Sequence, residues 1–330
     1  MSVVAEYLSK INLGEPQTYK NLTMFPLISD EHIEPNYLLL DEALAQGCAR
    51  VTEVSDSGSV PELKFVNDGD RPVLLLDGEE LVGAKQNRIL NLSVLAPAHK
   101  TIKIPVSCVE AGRWHAQSDE FVSAKRAHFA EGRARKAVSV SHSLRSEGMR
   151  YSDQSEVWSD ISDKAARMDV VSDTDAADAL YATHKVSLDE YVDAFSAKDR
   201  QIGTLFVING SVVGLDLFDS AATLASLLPK LVQSVALDAI DAGENEAQAD
   251  KTIAKKLIDD AANAVAEHFP AVGDGDDLRL QGKHIAGGAL LVDDRIVHLC
   301  VFRLQGRDDD RSENWESRIM RASLRQRRRL

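Results

Sequence analysis

Over its first third the chain breaks into short apolar runs at residues 23–28, 37–40, 62–66, 72–76, 89–95 and 101–109, separated by Gly, Asp, Asn and Pro. Runs of this length and spacing predict strands of a meander or sandwich, not βαβ units. A short helix is expected over 41–46, with Gly47 placed to close it. From about 118 to 198 the period becomes helical. Ser118 followed by Phe121, Val122, Ala124 and Phe129 predicts a capped amphipathic helix, and 155–168 and 173–183 predict two more. In the last third, 203–208 and 211–217 flank Asn209-Gly210. That pair supplies the positive φ of a type I′ turn, so a hairpin is expected. Helices are predicted over 221–242, despite Pro229, and over 245–269. Strands over 278–282, 289–292 and 296–304 follow, then an amphipathic segment at 315–329 ending in Arg327, Arg328 and Arg329.

The fold class expected is α+β: an antiparallel β-rich, sandwich-like N-terminal part, a helical middle, and C-terminal antiparallel hairpins packed with two helices. The divisions fall at 1–116, 117–200, 201–306 and 307–330, and 1–306 is compatible with one integrated domain. Because strands cluster at both ends, the ends are expected to share a sheet system. The chain's 330 residues, 44% of them hydrophobic, are enough to bury a sizeable core.

Charge narrows the function. Lys plus Arg number 38 against 52 Asp plus Glu, a net −14, and aromatics are only 5%. A general nucleic-acid binder needs a cationic surplus, so that partner is not expected, and neither is an anionic membrane surface. The basic block from Lys125 to Arg150 and the acidic block from Asp160 to Asp178 are read as neutralising each other or facing water. The greasiest strand-like stretches, near 205–217 and 286–292, are too short to cross a membrane, and Glu6, Ser9 and Lys10 interrupt any secretory apolar run. Cys48, Cys108 and Cys300 are odd in number and far apart, so reduced thiols and a cytoplasmic location are expected. There is no G-x-S-x-G, G-x-G-x-x-G, P-loop or H-E-x-x-H. No metal site is signalled, although the acidic clusters permit a divalent cation as cofactor.

One segment concentrates polar residues between apolar strands: LLLDGEELVGAKQNRILN at 74–91, continuing to IPVSCVEAGRW at 104–114. With strand period two, Arg88 shares a face with Leu90, Leu92 and Val94, and Glu110 with Ile104, Val106 and Cys108. Each then ends a buried row. Two readings stand side by side: a structural Arg88–Glu110 ion pair, or a pocket. In the pocket reading Lys85, Gln86, Asn87, Arg88, Arg113 and Trp114 bind ligand, the cations holding phosphate or carboxylate. Glu79, Glu80 and Glu110 are the candidate catalytic groups, handling protons or hydroxyls. Trp114 either stacks on a base or closes the core edge.

DGEELVGAKQNR followed by IPVSCVEAGRW resembles the ARG and rhodanese-phosphatase-superfamily-associated protein family, ARG standing for ADP-ribosylglycohydrolase. The later GTLFVINGSVVGLDLFDS segment fits the same layout. The positions matching the family's polar words are Glu79, Glu80, Gly83, Lys85, Gln86, Asn87, Arg88, Glu110, Gly112, Arg113 and Trp114. The resemblance implies a role around NAD-derived ADP-ribose and assigns no residue a reaction. The leading expectation is therefore binding or processing of an ADP-ribose-type nucleotide. The alternative is a non-enzymatic scaffold or regulatory module acting through the helical middle and the 315–329 segment. A homodimer is compatible with either.

Overall fold

The apolar runs pair into three sheets in a computed structural model that describes residues 2–304, apart from 56, 57, 116, 246 and 248. The 315–329 segment lies outside the described residues. Helix α1 (Val3–Ser9) and strands β1 (Asn12–Leu13), β2 (Gln17–Tyr19) and β3 (Leu22–Ile28) open the chain. Strand β4 (Leu38–Leu39) leads into helix α2 (Leu40–Ala45), after which Gly47 turns the backbone with φ 68°. Strands β5 (Ala49–Glu53), β6 (Glu62–Asn67), β7 (Val73–Leu75) and β8 (Glu79–Gly83) follow. Next come β9 (Arg88–Leu90), β10 (Val94–Ala96), β11 (Lys100–Cys108) and β12 (Glu120–Ala127). Helices α3 (Ala130–Glu147), α4 (Gln154–Arg167), α5 (Asp178–Thr183) and α6 (Lys185–Ala194) form the middle. Strands β13 (Gln201–Ile208) and β14 (Ser211–Phe218) are the Asn-Gly hairpin, followed by helices α7 (Ala221–Ala242) and α8 (Lys251–Ala262). Strands β15 (Val265–Pro270), β16 (Asp276–Gly282), β17 (Ile285–Val292) and β18 (Arg295–Arg303) complete the described chain.

Five strands of the 1–116 part and β12 from the region after it close into an antiparallel barrel, β11-β6-β5-β12-β8-β9 and back to β11. The N-terminal strands thus form a barrel in place of a sandwich, and closure leaves no edge to protect. Val51, Leu63, Phe65, Leu81, Ile104 and Phe121 fill its core. Beside it runs the short sheet β10-β7-β4. The third sheet has nine strands in the order β1-β3-β13-β14-β18-β17-β16-β15, with β2 on β3. Because β3 pairs with β13, the two ends of the chain share this sheet. Strand alternation sends Met24, Phe206 and Phe218 to the face covered by α7. It sends Phe25, Leu205 and Leu217 to the face covered by α1 and α8.

Two expected helices are corrected. Residues 120–127 form a strand, with Phe121 opposite both Val51 and Gly83. Val122, counted on the expected helical face, is exposed on this strand, and the pairing with β8 shifts register between Ser123 and Ala127, where Lys125 has φ 55°. Barrel closure needs a strand here and overrides the local pattern. The helix expected over 245–269 ends at Ala262, and Val265–Pro270 adds an edge strand to the large sheet. Helix α7 is the one described helix with the length and apolar character of a membrane span, and 67% of that stretch is buried inside the protein.

Candidate functional site

Strands β7 and β8 are joined by a turn at Asp77 and Gly78, and Glu79 and Glu80 open β8 directly after it. A buried carboxylate must be paired, and here each pairs with a cation from a different part of the chain. Asp77 accepts from Arg133 Nε at 3.0 Å and Lys136 Nζ at 2.9 Å, both on α3. Glu79 pairs with Lys230 of α7 and accepts the Leu76 amide at 3.1 Å. Glu80 takes Arg126 in a two-pronged bond, Nε at 2.7 Å and Nη2 at 2.8 Å, and Arg126 also reaches Asp178 at 2.6 Å. Burial alone would discharge these cations, yet Glu80 and Asp216 hold Arg126 and Arg133 above the usual guanidinium range. Burial pushes the Glu79 carboxyl up, and Lys230 offsets only part of it. Gly78 has φ 77°, and a Cβ there would lie 2.9 Å from the Arg133 side chain, so the turn needs glycine. Glu79 therefore ties the barrel to α7, while Glu80 joins the barrel strands β8 and β12 and reaches α5 through Arg126 and Asp178.

The second half of the segment forms a corner of the barrel. Glu110 pairs with Arg113, not with Arg88: Oε2 meets Nη2 at 2.6 Å and Oε1 meets Nε at 2.9 Å. It also accepts from the Asn87 amide at 3.1 Å and the Thr174 hydroxyl at 3.0 Å. Burial raises its carboxyl, but Arg113 and these donors outweigh burial and hold it below the ordinary range. Gln86 Nε2 donates to the Glu110 carbonyl at 2.8 Å, and Asn87 Oδ1 accepts from Arg113 Nη2 at 3.1 Å. Gln86, Asn87, Glu110 and Arg113 are thus one hydrogen-bonded knot.

Arg88 differs from the other buried arginines. Its side chain is fully buried, and Nη1 donates to the Gln86 carbonyl and Oε1, each at 3.2 Å. Nε and Nη2 have no hydrogen-bond partner among the described residues, and the nearest carboxylate oxygen, Glu53 Oε1, is 3.9 Å away. Burial pulls this guanidinium below its ordinary range, with Cys108 and Glu53 offsetting only part. Above it lies Trp114, 49% exposed, its ring centre 5.8 Å from Arg88 Cζ and 5.6 Å from Lys85 Nζ. The structure thus gathers Lys85, Arg88 and Trp114 at one corner, with the knot beside them, and places Glu79 and Glu80 in separate pairs.

The family model of the ARG and Rhodanese-Phosphatase-superfamily-associated Protein domain matches residues 10–302. The chain belongs to that family. No curated protein and no solved structure matches it. The match spans the barrel, the helices and the large sheet, so the family's unit contains both the DGEE turn and the cations that neutralise it.

Within this family unit a second polar cluster escapes the sequence reading. Asp216 of β14 accepts from Arg133 Nη2 at 2.6 Å and Nη1 at 3.1 Å, and His298 of β18 sits 3.1 Å from its Oδ1. Ser93, just before β10, bonds His298 Nδ1 at 2.8 Å. These residues come from distant strands, so no spacing announces them. Lys230 did carry a signal, as a lone cation between Leu228 and Leu231 in an apolar helix, where only a buried carboxylate can receive it.

Proposed function

We propose that the protein binds an ADP-ribose-type nucleotide at the Lys85–Arg88–Trp114 corner. The observation that carries this reading is Arg88, a fully buried guanidinium with two nitrogens that no described residue accepts from. A buried cation is costly until it is paired, and a diphosphate offers the forked acceptor that arginine fits best. Lys85 adds charge beside the same indole. The half-exposed Trp114 face suits a stacked adenine, worth about 1–3 kcal/mol. Glu110, kept ionised and already taking four donors, braces Asn87 and Arg113 beside the corner. Family membership supports the nucleotide class through its association with ADP-ribosylglycohydrolases.

Thermal unfolding against NAD, ADP-ribose and AMP, with and without magnesium, tests the reading. Ligand at about 100 times its Kd adds roughly 2.7 kcal/mol. We expect a Tm rise with ADP-ribose that Trp114→Ala and Arg88→Gln remove, Trp114→Ala leaving the unliganded Tm in place because the indole is half in solvent. No shift with any nucleotide would shift the weight to a scaffold role, to be pursued by pull-down.

A further inference from the structure

The last two turns of α7 carry Asp238 and Asp241, where the helix carbonyls are already negative and no basic residue of the last turn answers them. Lys164 of α4 does so. Its side chain is 1% exposed, with Nζ 2.8 Å from Asp238 Oδ1 and 2.7 Å from Asp241 Oδ2. Arg167 Nη2 donates to Asp241 Oδ2 at 2.6 Å, and Arg135 spans Glu131 and Asp160. Three cations thus face four carboxylates. Burial pushes the Asp160 carboxyl up to about 6, Arg135 offsetting part of the rise and Glu156 and Glu131 adding to it. Asp238 Oδ2 accepts the Glu131 amide at 2.9 Å. Its Oδ1 is buried and, though close to Lys164, accepts no hydrogen bond among the described residues.

These groups wall a cleft of about 450 Å³ between α3, α4, the end of α7 and the β13–β14 turn, a volume typical of small-molecule sites. Ala134, Ile208 and Val213 give it an apolar strip. At the hairpin end the charge reverses. Arg303, the last residue of β18, lines the cleft with its side chain 29% exposed. Among the described residues it bonds only Asp260 Oδ2 of α8, at 3.2 Å. Lys256 donates to both oxygens of that same carboxylate at 3.1 Å, so two cations share one anion. Lys256 and Arg303 line a second hollow of about 270 Å³, which adjoins the first at Ser211 and Arg303. Since α7 and α8 cover opposite faces of the sheet, the hairpin turn stands between the two poles. One pole is short of a cation and the other of an anion.

We propose that this cleft binds a linear zwitterion, an amino acid whose ammonium and carboxylate are separated by an aliphatic stem. The ammonium supplies the hydrogen bond that Asp238 Oδ1 lacks and the positive charge that the four carboxylates are short of. The carboxylate takes the free side of the Arg303 fork, the geometry guanidinium groups fit best. The stem lies along Ile208 and Val213. A lone cation gains nothing at Arg303 and a lone anion is repelled at Asp238, so the two poles together select against singly charged molecules.

Calorimetric titration of the full chain with straight-chain ω-amino acids, from glycine to 6-aminohexanoate, tests the assignment beside butylammonium and butyrate. One stem length should bind best, with one site per chain and about tenfold or more tighter than either singly charged analogue, since each pole adds a charge-assisted bond. Arg303→Gln should bring the zwitterion down to the level of butylammonium, and Asp238→Asn to the level of butyrate. Ser211→Trp leaves both poles in place and should obstruct the cleft, and its side chain is exposed, so the fold is kept. No zwitterion binding at millimolar concentration overturns the proposal. So do singly charged analogues that bind equally well, or binding indifferent to both Arg303→Gln and Ser211→Trp. No arm uses a nucleotide and neither pole shares a residue with the Arg88 corner, so the result is independent of binding there.

Discussion

Breaking one buried ion pair separates its structural weight from any other role. Glu80→Gln leaves Arg126 buried with its main partner gone and should cost about 3–5 kcal/mol, read as a lower urea midpoint. Replacing the pair together by Glu80→Leu and Arg126→Met should recover most of that loss, since apolar groups of similar volume need no counter-charge. His128 gives a pH signature. Burial, then the positive charges of Lys136, Lys164, Arg126 and Arg133, hold its imidazole well below 6.5. The unfolded chain takes up that proton near pH 6.5 and the folded chain does not. Stability from His128 is therefore full above about pH 6.5 and lost as pH falls below it, with a slope up to about 1.4 kcal/mol per pH unit. His128→Gln should remove this slope from a series of urea titrations between pH 7 and 5.

Elements whose shape is set locally were the legible ones. Asn209 and Gly210 take φ 50° and 74°, as the two central residues of a primed turn must. Helix α4 starts where Asp153 caps it, within a residue of the expected start. Strand β12 was illegible because its state is decided by neighbours: β5 and β8 are completed only when it lies between them. Its bulge makes a prediction. Lys125 is exposed with φ 55°, a conformation that β-branched residues resist. Lys125→Val should destabilise by about 1–2 kcal/mol, whereas Lys125→Gly should be neutral or slightly stabilising, both read from thermal midpoints. The Arg88–Trp114 corner was legible in composition but not in pairing. Period two placed Arg88 and Glu110 at the ends of buried rows. Only the return of residues 109–112 against 174–177 gives Glu110 to Arg113 and leaves Arg88 half-partnered.

Across the whole molecule the same ion pairs act as ties. Asp77, Glu79 and Glu80 reach Arg133, Lys230 and Arg126, so the barrel, α3 and α7 share one set of buried charges. One apolar cluster likewise holds Leu74 and Ile89 together with Phe206, Phe218 and Leu231. Barrel and large sheet should therefore unfold together, with denaturation curves from circular dichroism and fluorescence coinciding. Two separate midpoints would contradict this coupling. The place of β3 in the large sheet also bears on how the chain is made. Leu22 pairs with Ile208, and 208 − 22 = 186 residues separate them. A ribosome adding 5–20 residues per second needs on the order of 10–40 s to supply that partner. Throughout that wait Leu22-Thr-Met-Phe-Pro-Leu-Ile has only the short β1 and β2 to pair with, and the edge that β13 covers in the finished sheet stays open. Yield in cells is therefore expected to respond to the pace of translation between residues 29 and 208, which sets how long that open edge of β3 stays exposed.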